Sequence, residues 1–161
     1  MAFRLYPFSG FPATVSRTFP YTTLTSTNFF AIDGLGVEAS LGANAEHHYV
    51  WHVPASLPVG TPKLELNVMA NAIGGDAKIN PKWKSVPYEE TFDLLSSSLN
   101  AEGTQTITWA AGDADVMKQL KVDLDADTVV VDEFIMMAIV YETSGWTLAS
   151  RSGWFPAIIW E

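Results

Sequence analysis

Apolar and polar residues alternate with a period of two along most of the chain after residue 44. The clearest example is the stretch 63–70, where Leu64, Leu66 and Val68 alternate with lysine, glutamate and asparagine. Alternation of this kind places one face of a β-strand against a core and the other face in solvent. We therefore predict strands at 49–53, 64–70, 77–84, 104–109, 120–124, 128–141 and 154–160.

Turn-forming residues separate these strands at intervals of roughly ten residues. This spacing predicts an all-β fold, an antiparallel β-sandwich. Pro81 lies inside the strand predicted at 77–84 and indicates an edge strand or a bulge, because proline cannot donate a ladder hydrogen bond. Helical turns are a weaker prediction, at 88–99 and at 112–119, with Asp113 as a candidate N-cap of the second.

The first 44 residues follow no such period and contain several prolines, glycines and hydroxyl residues. They also hold more aromatic residues than a solvated tail would carry. Two interpretations remain open: the segment wraps its own domain, or it is an extended arm that packs on a neighbouring subunit or a larger surface. We predict an N-terminal arm at 1–44, a sandwich domain at 45–161 and an interface formed by Phe3, Tyr6, Phe8, Phe11, Phe19, Tyr21, Phe29 and Phe30.

Composition narrows the classes of function. The chain has 161 residues, the size of one domain, and a formal net charge of −9 from 9 basic and 18 acidic residues. This balance argues against a nucleic-acid partner, which would need a basic surface. The absence of cysteine excludes disulfides, cysteine–zinc centres and a thiol nucleophile.

We expect neither a membrane segment nor a signal peptide. No apolar run approaches the ~20 residues that span a bilayer, and prolines and Gly10 interrupt the apolar stretch at the N-terminus.

Three histidines, His47, His48 and His52, form the pattern HHxxxH, which on a helix would bind a metal. The surrounding alternation predicts a strand instead. At ~3.3 Å per residue, His48 and His52 would lie roughly 13 Å apart, too far to share one ion. We interpret all three as polar strand residues and predict no metal site here.

The acidic run Asp123, Asp125 and Asp127 resembles the start of a calcium loop, but Thr128 and Phe134 stand where an EF-hand needs glycine and glutamate. A calcium site of another geometry, with Asp113 and Asp115, remains the alternative. The chain also lacks a G-x-S-x-G nucleophile elbow. The carboxylate pairs at 89–90 and 132–133 cannot be placed across a cleft from sequence. We therefore predict no catalytic residue and no cofactor.

The six tryptophans divide by position. Trp51 and Trp109 are in phase with apolar neighbours, and we predict that they belong to the core. Trp83 and Trp146 lie near strand ends, where exposure is expected, and could form a platform that stacks sugar rings.

Three stretches together resemble a known group of proteins. They are YVWHVPASLPVGTPKLELNVMANAIGGDAKINPKW, DADTVVVDEFIMMAIVYET and RSGWFPAIIWE. Their order is similar to that of small jelly-roll proteins of tailed-phage virions, including head-decoration (cement) proteins and appended fibre or spike domains. The resemblance covers the chain from Ala45 to the C-terminus. It implies a jelly-roll-like sandwich and a homotrimer that clamps neighbouring capsomers of the major capsid protein.

The sequence thus leads to one main hypothesis and two alternatives. The first is a non-enzymatic virion structural protein, a capsid decoration protein assembled in the host cytoplasm, with no nucleic-acid or membrane partner. The second is a carbohydrate- or receptor-binding β-sandwich of a phage fibre or tail, which would use Trp83 and Trp146. The third is a β-sandwich hydrolase, which would need facing carboxylates in a pocket.

Overall fold

A computed structural model describes residues 3–7, 29–30, 36–39, 46–70, 74–88, 98–114, 116–142, 144–145, 147 and 152–161. These residues form eleven β-strands and no α-helix. The strands are β1 (Phe3–Leu5), β2 (Phe29–Phe30), β3 (Gly36–Ala39), β4 (Glu46–His52), β5 (Pro62–Ala70), β6 (Gly75–Val86), β7 (Asn100–Ala101), β8 (Gln105–Trp109), β9 (Met117–Asp123), β10 (Phe134–Tyr141) and β11 (Ser152–Trp160).

Four antiparallel strand pairs nest inside one another along the chain. β3 pairs with β11, β4 with β10, β5 with β9, and β6 with β8. The pairs alternate between two sheets, so that sheet A has the order β3-β11-β5-β9 and sheet B the order β4-β10-β6, with β8 beside β6. Nested pairs divided in this way are those of a jelly roll, which is a long hairpin rolled into two facing sheets. The prediction of an all-β antiparallel sandwich is confirmed.

The three short N-terminal strands belong to sheet A. β1 pairs with the end of β11, where Phe3 lies opposite Trp160, while β3 pairs with the beginning of β11 and with β2. The described parts of the predicted arm are therefore built into the sandwich, and residue 45 does not mark where the sandwich begins. The remaining predicted contact residues Phe8, Phe11, Phe19 and Tyr21 lie outside the described residues, and Phe29 and Phe30 are described by their backbone alone.

The core lies between the two sheets and is built from the inward positions that the alternation predicts. Trp51 and Trp109 are almost completely buried there, which confirms their prediction as core residues. Close packing of such large side chains is the main stabilising contribution to a sandwich without disulfides. The largest fully buried side chains are Trp51, Trp83, Trp109, Trp160, Leu64, Leu66, Ile79, Ile135, Met137 and Ile139.

The prediction that Pro81 marks an edge strand is wrong, whereas its alternative, a local break in the pairing as at a bulge, matches the structure. β6 pairs with β10 along most of its length and has β8 and β7 on its other side, so it is an interior strand. Pro81 lies between the positions that pair with β8 and those that pair with β7, and its carbonyl accepts a hydrogen bond from the N–H of Glu102. The missing N–H of the proline thus falls where β6 has no strand partner on that side.

The helical turn predicted at 112–119 is also wrong. Gly112 has a φ of 98°, which belongs to a tight turn, and β9 begins at Met117. Asp113 closes this turn, because its Oδ2 accepts hydrogen bonds from the N–H of Ala110 (2.9 Å) and the Nζ of Lys118 (2.7 Å). A short aspartate that bonds to nearby backbone favours turns as readily as helix starts. The other helical segment, 88–99, falls mostly outside the described residues.

The strand predicted at 128–141 is shorter than expected. β10 begins only at Phe134, because a turn at 131–132 interrupts the apolar run and gives Asp132 a φ of 58°. Val130 and Val131 therefore do not continue the buried strand and are exposed.

Candidate functional site

One end of the sandwich gathers most of the connecting segments. β4, β6, β9 and β11 finish at this end, and β1, β5 and β10 start there. Four backbone hydrogen bonds join the segments. Val53 N–H donates to the carbonyl of Glu133 and Leu124 N–H to that of Pro62, while Thr61 and Glu161 each donate to the other's carbonyl. We call this surface the loop end and define it as residues 53–61, 87–88 and 124–133 together with Phe3 and Glu161.

The loop end carries most of the exposed large apolar side chains among the described residues. Val59 is 99% exposed and Tyr88 is 62% exposed. Patches of this kind on a small soluble domain mark contact surfaces more often than solvated loops do. The complete set at this end is Phe3, Leu57, Val59, Tyr88, Val130 and Val131.

The loop between β9 and β10 is anchored rather than loosely attached. The backbone N–H of Ser85 donates to Oδ2 of Asp127 (3.1 Å), and its hydroxyl donates to Oε2 of Glu133 (2.7 Å). Val129 is buried beneath the loop. Contacts at both ends of the loop thus hold the exposed valines at its tip in one arrangement, which lowers the entropy lost on binding.

Glu102 connects sheet B to the same loop. Its Oε1 accepts hydrogen bonds from Nε1 of Trp83 and from the backbone N–H groups of Asp125 and Ala126, both at 3.0 Å. Burial raises the pKa of Glu102, and the neighbouring Asp125 carboxyl raises it further, whereas the hydrogen bonds from Ala126 and Trp83 lower it. This carboxyl group therefore has a structural task that its position in the sequence did not indicate.

The prediction that Trp83 forms part of an exposed sugar-stacking platform is wrong. Its side chain has no exposed surface and its indole N–H is bound to Glu102. Trp83 lies on the inner face of β6, in phase with Ile79 and opposite in phase to the outward Lys82 and Lys84. Trp146, the other member of the predicted platform, lies outside the described residues.

The two described side chains of the predicted aromatic interface are both accessible. Phe3 is 43% exposed and Tyr6 is 55% exposed. The Phe3 ring makes an edge-on contact with Trp160, with 5.5 Å between ring centroids. Phe3 thus has one edge against the core and the rest of its ring in solvent at the loop end.

A two-pronged ion pair fastens β1 to the outer face of sheet A. Nε and Nη2 of Arg4 donate to the two carboxylate oxygens of Glu65, each at 3.1 Å, across the intervening β11. The Glu65 side chain is only 2% exposed. The hydrogen bond from Arg4 is the main reason that the pKa of Glu65 is lowered, although burial acts in the opposite direction.

We expect this pair to make the fold sensitive to acid. Because the folded pKa of Glu65 is lower than the ordinary 4.5, its stabilising effect is present above pH 4.5 and is lost as the pH falls through the folded pKa. Urea unfolding of the wild type, Glu65→Gln and Arg4→Gln from about pH 3 to pH 6 measures this loss. Both variants should lose less stability in acid than the wild type. Lys118→Gln removes a different ion pair and should keep the contribution of Glu65 to the free energy of unfolding. If the wild type and Glu65→Gln lost equal amounts of stability in acid, the expectation would be contradicted.

The histidines and aspartates that the sequence suggested as metal ligands have separate surroundings in the structure. The histidines lie on strand β4, as predicted, and His52 contacts the rings of Phe134 and Tyr88 at centroid distances of 5.3 Å and 5.9 Å. Asp123 pairs with Lys63 at 3.0 Å, while Asp127 holds Ser85. Within the part of the chain that the structure describes, no three histidine or carboxylate side chains form a group that could hold a metal ion.

Most of the loop end could not be identified from the sequence. Leu57 and Val59 lie in a proline-rich turn. Large apolar residues are unusual in a turn, and this was the one sequence signal that pointed to a contact surface here. Val130 and Val131 were assigned to a buried strand because β-branched runs favour strands.

The described residues include no helix long and apolar enough to cross a membrane. A scan against known protein families finds none that matches this chain, and a search of curated proteins finds no match either.

Proposed function

We propose that this chain is a non-enzymatic structural protein of a tailed-phage virion, a capsid decoration protein that binds between capsomers of the major capsid protein. In this proposal the loop end is the attachment surface. The jelly-roll strand order and the resemblance of three sequence stretches to such proteins support the proposal. A fold by itself does not determine function, so the main support has to come from the surface.

The observation that carries the proposal is the concentration of exposed apolar side chains at one end of the sandwich. Val59 and Val131 stand in loops whose neighbouring residues are tied to the strands, and Phe3 lies on a strand held by the Arg4–Glu65 pair. Burying such side chains against a partner contributes about 25 cal/mol for each Å² removed from water. Attachment of this kind needs rigid apolar contact area and no reactive group.

Aromatic contacts from the N-terminal region extend this surface in the proposal. Tyr6 follows β1 and is more than half exposed. We assign Tyr6 to contacts between subunits of a trimer, since it lies beyond the end of β1 that is farther from the loop end. Oligomerisation would remove this ring from water.

The attachment surface is tested by introducing charge into it. Val59→Asp combined with Val131→Asp should reduce co-sedimentation with phage heads lacking the protein by about tenfold or more, since buried charges without partners weaken an apolar contact. Val116→Asp is the matched control, because Val116 is 40% exposed but lies next to the start of β9, at the opposite end. Circular dichroism should show that all the variants are folded.

Three results would contradict the proposal. They are attachment of the double variant at the wild-type level, an equal loss of attachment in the control, and purified particles whose mass spectrum lacks the chain.

Native mass spectrometry tests the trimer separately, and a strict monomer at every concentration would contradict the proposed trimer. Point substitutions are preferable to deletion of residues 1–44, because the deletion would also remove three strands from sheet A.

A further inference from the structure

The outer face of sheet B has a composition unlike the rest of the surface. Along β6 the outward positions alternate with the buried ones and hold three of the chain's nine basic residues, together with Asp76 and Asn80. The neighbouring outward positions of β10 are apolar, and those of β4 are apolar or histidine apart from Glu46, which occupies the end of the face away from the loop end. We call this surface the lysine face and define it by Lys78, Lys82, Lys84, Met136, Ala138, Val140, His48, Val50, His52 and Phe134.

The lysines of this face have no carboxylate partner among the described residues. By contrast, every other described basic residue is in an ion pair; the pairs are Arg4–Glu65, Lys63–Asp123, Lys118–Asp113 and Lys121–Glu161. The chain has twice as many acidic as basic residues, so carboxylates are abundant. Lys82 and Lys84, side by side and with no carboxylate partner in the described part of the chain, form a local positive field that attracts an anionic ligand.

An aromatic cluster lies at the loop-end edge of the same face. Tyr88 contacts Phe134 at 4.8 Å and His52 at 5.9 Å between ring centroids, each edge-on. Tyr88 is 62% exposed, so much of its surface remains open to solvent. Phe134 pairs with Val86 and the next outward residue of β10 pairs with Lys84, so the cluster adjoins the lysines. An open ring held by other rings is a surface on which the C–H face of a sugar can stack.

We propose that the lysine face binds a linear acidic glycan. A sugar ring stacks on Tyr88, and carboxylate or phosphate groups of the following sugars contact Lys84 and Lys82. These lysines are roughly 7 Å apart along the strand, since alternate residues of a strand are separated by two rises of ~3.3 Å. The site adjoins the loop end and shares Tyr88 with it, but its lysines lie outside the proposed attachment surface. It uses none of the tryptophans predicted to bind sugars.

A glycan fits this face better than the other anionic polymers do. Nucleic-acid binding depends on many phosphate contacts along a basic surface, whereas this face has two adjacent lysines, Lys82 and Lys84, with Lys78 beyond Asn80. An acidic polypeptide supplies charge but does not require an open aromatic ring beside the lysines. Acidic glycans combine carboxylate or phosphate groups with apolar ring faces, which is the combination that Tyr88, Lys84 and Lys82 can contact.

The test is isothermal titration calorimetry of the full chain with oligogalacturonate, which carries carboxylates, and with a phosphorylated mannan oligosaccharide. We expect binding to at least one of them and none to a neutral malto-oligosaccharide of equal length. Lys82→Gln with Lys84→Gln should weaken that binding by about tenfold or more, and Tyr88→Ala by roughly fivefold. Lys118→Gln with Lys121→Gln changes the net charge equally but lies on sheet A, so this variant should bind as the wild type does.

Binding of neither acidic glycan would overturn the proposal, as would equal weakening in the sheet A control. Polyglutamate and an oligothymidylate are included as competitors. Affinity for either that equals or exceeds the glycan affinity would mean that the face recognises anionic protein or nucleic acid instead, and this also overturns it. Thermal unfolding of each variant verifies that lost binding does not reflect lost structure.

Discussion

Replacing Trp160 by alanine is expected to lower the free energy of unfolding by about 3–5 kcal/mol, the usual cost of deleting a buried tryptophan side chain. Trp160 is 2% exposed and belongs to the core. It is also the last residue of β11, where it lies opposite Phe3 of β1 and Pro62 of β5. Its removal therefore leaves a cavity at the point where three strands of sheet A meet.

Urea unfolding monitored by circular dichroism measures this loss. Trp160→Phe should keep most of the packing and lose about half as much stability. Phe3→Ala is the matched control on the other side of the ring contact, and we expect a loss of about 1 kcal/mol because Phe3 is 43% exposed. Equal losses for Trp160→Ala and Phe3→Ala would contradict the placement of Trp160 in the core.

Glu102→Ala is expected to cost about 2–3 kcal/mol, because it deprives three donors of their acceptor. The indole N–H of Trp83 is buried, so it would be left without a partner inside the protein. The N–H groups of Asp125 and Ala126 would also lose the bond that holds the β9–β10 loop to sheet B. Glu102→Gln keeps an acceptor oxygen and should cost much less.

The same carboxyl group should affect stability as the pH changes. Because the folded pKa of Glu102 is raised above the ordinary 4.5, the folded state binds its proton more tightly than the unfolded state does. Its favourable contribution is therefore present below pH 4.5 and is lost as the pH rises through the folded pKa. Unfolding free energies of wild type and Glu102→Gln between about pH 4 and pH 8 should converge in acid and separate at higher pH. Parallel curves would contradict this assignment.

The strands could be predicted from sequence where one face alone is buried. In β5, and in β9 from Leu120 onward, apolar residues occupy every inward position, and the structure has a strand at both places, with β9 beginning at Met117 instead of residue 120. Their pairing with each other could not be predicted, because register depends on contacts between segments far apart in the chain. The beginning of the strand predicted at 128–141 differs from the structure because a valine run has the same local preference whether or not a turn follows it.

The surface residues were harder to predict because their environment is created by distant segments. The alternation of β6 puts Trp83 in phase with buried residues. Because Trp83 lies near the end of a predicted strand, however, it was expected to be exposed. Glu102, from the segment beyond β7, supplies the acceptor that allows its indole N–H to be buried. Lys82 and Lys84 are visible in the sequence as outward residues, yet only the folded chain shows that no described carboxylate pairs with them.

The pairing of β1 with β11 has a consequence for how the protein is made. A ribosome adds roughly 5–20 residues each second, and the strand that lies between β3 and β5 in sheet A is the last of the eleven to be synthesised. The β6–β8 and β5–β9 pairs can form earlier, but β1 and β3 must wait for β11. Sheet A therefore cannot assemble until β11 has been synthesised, and a stop codon before residue 152 would leave it in three unconnected parts: β1, the β2–β3 pair and the β5–β9 pair.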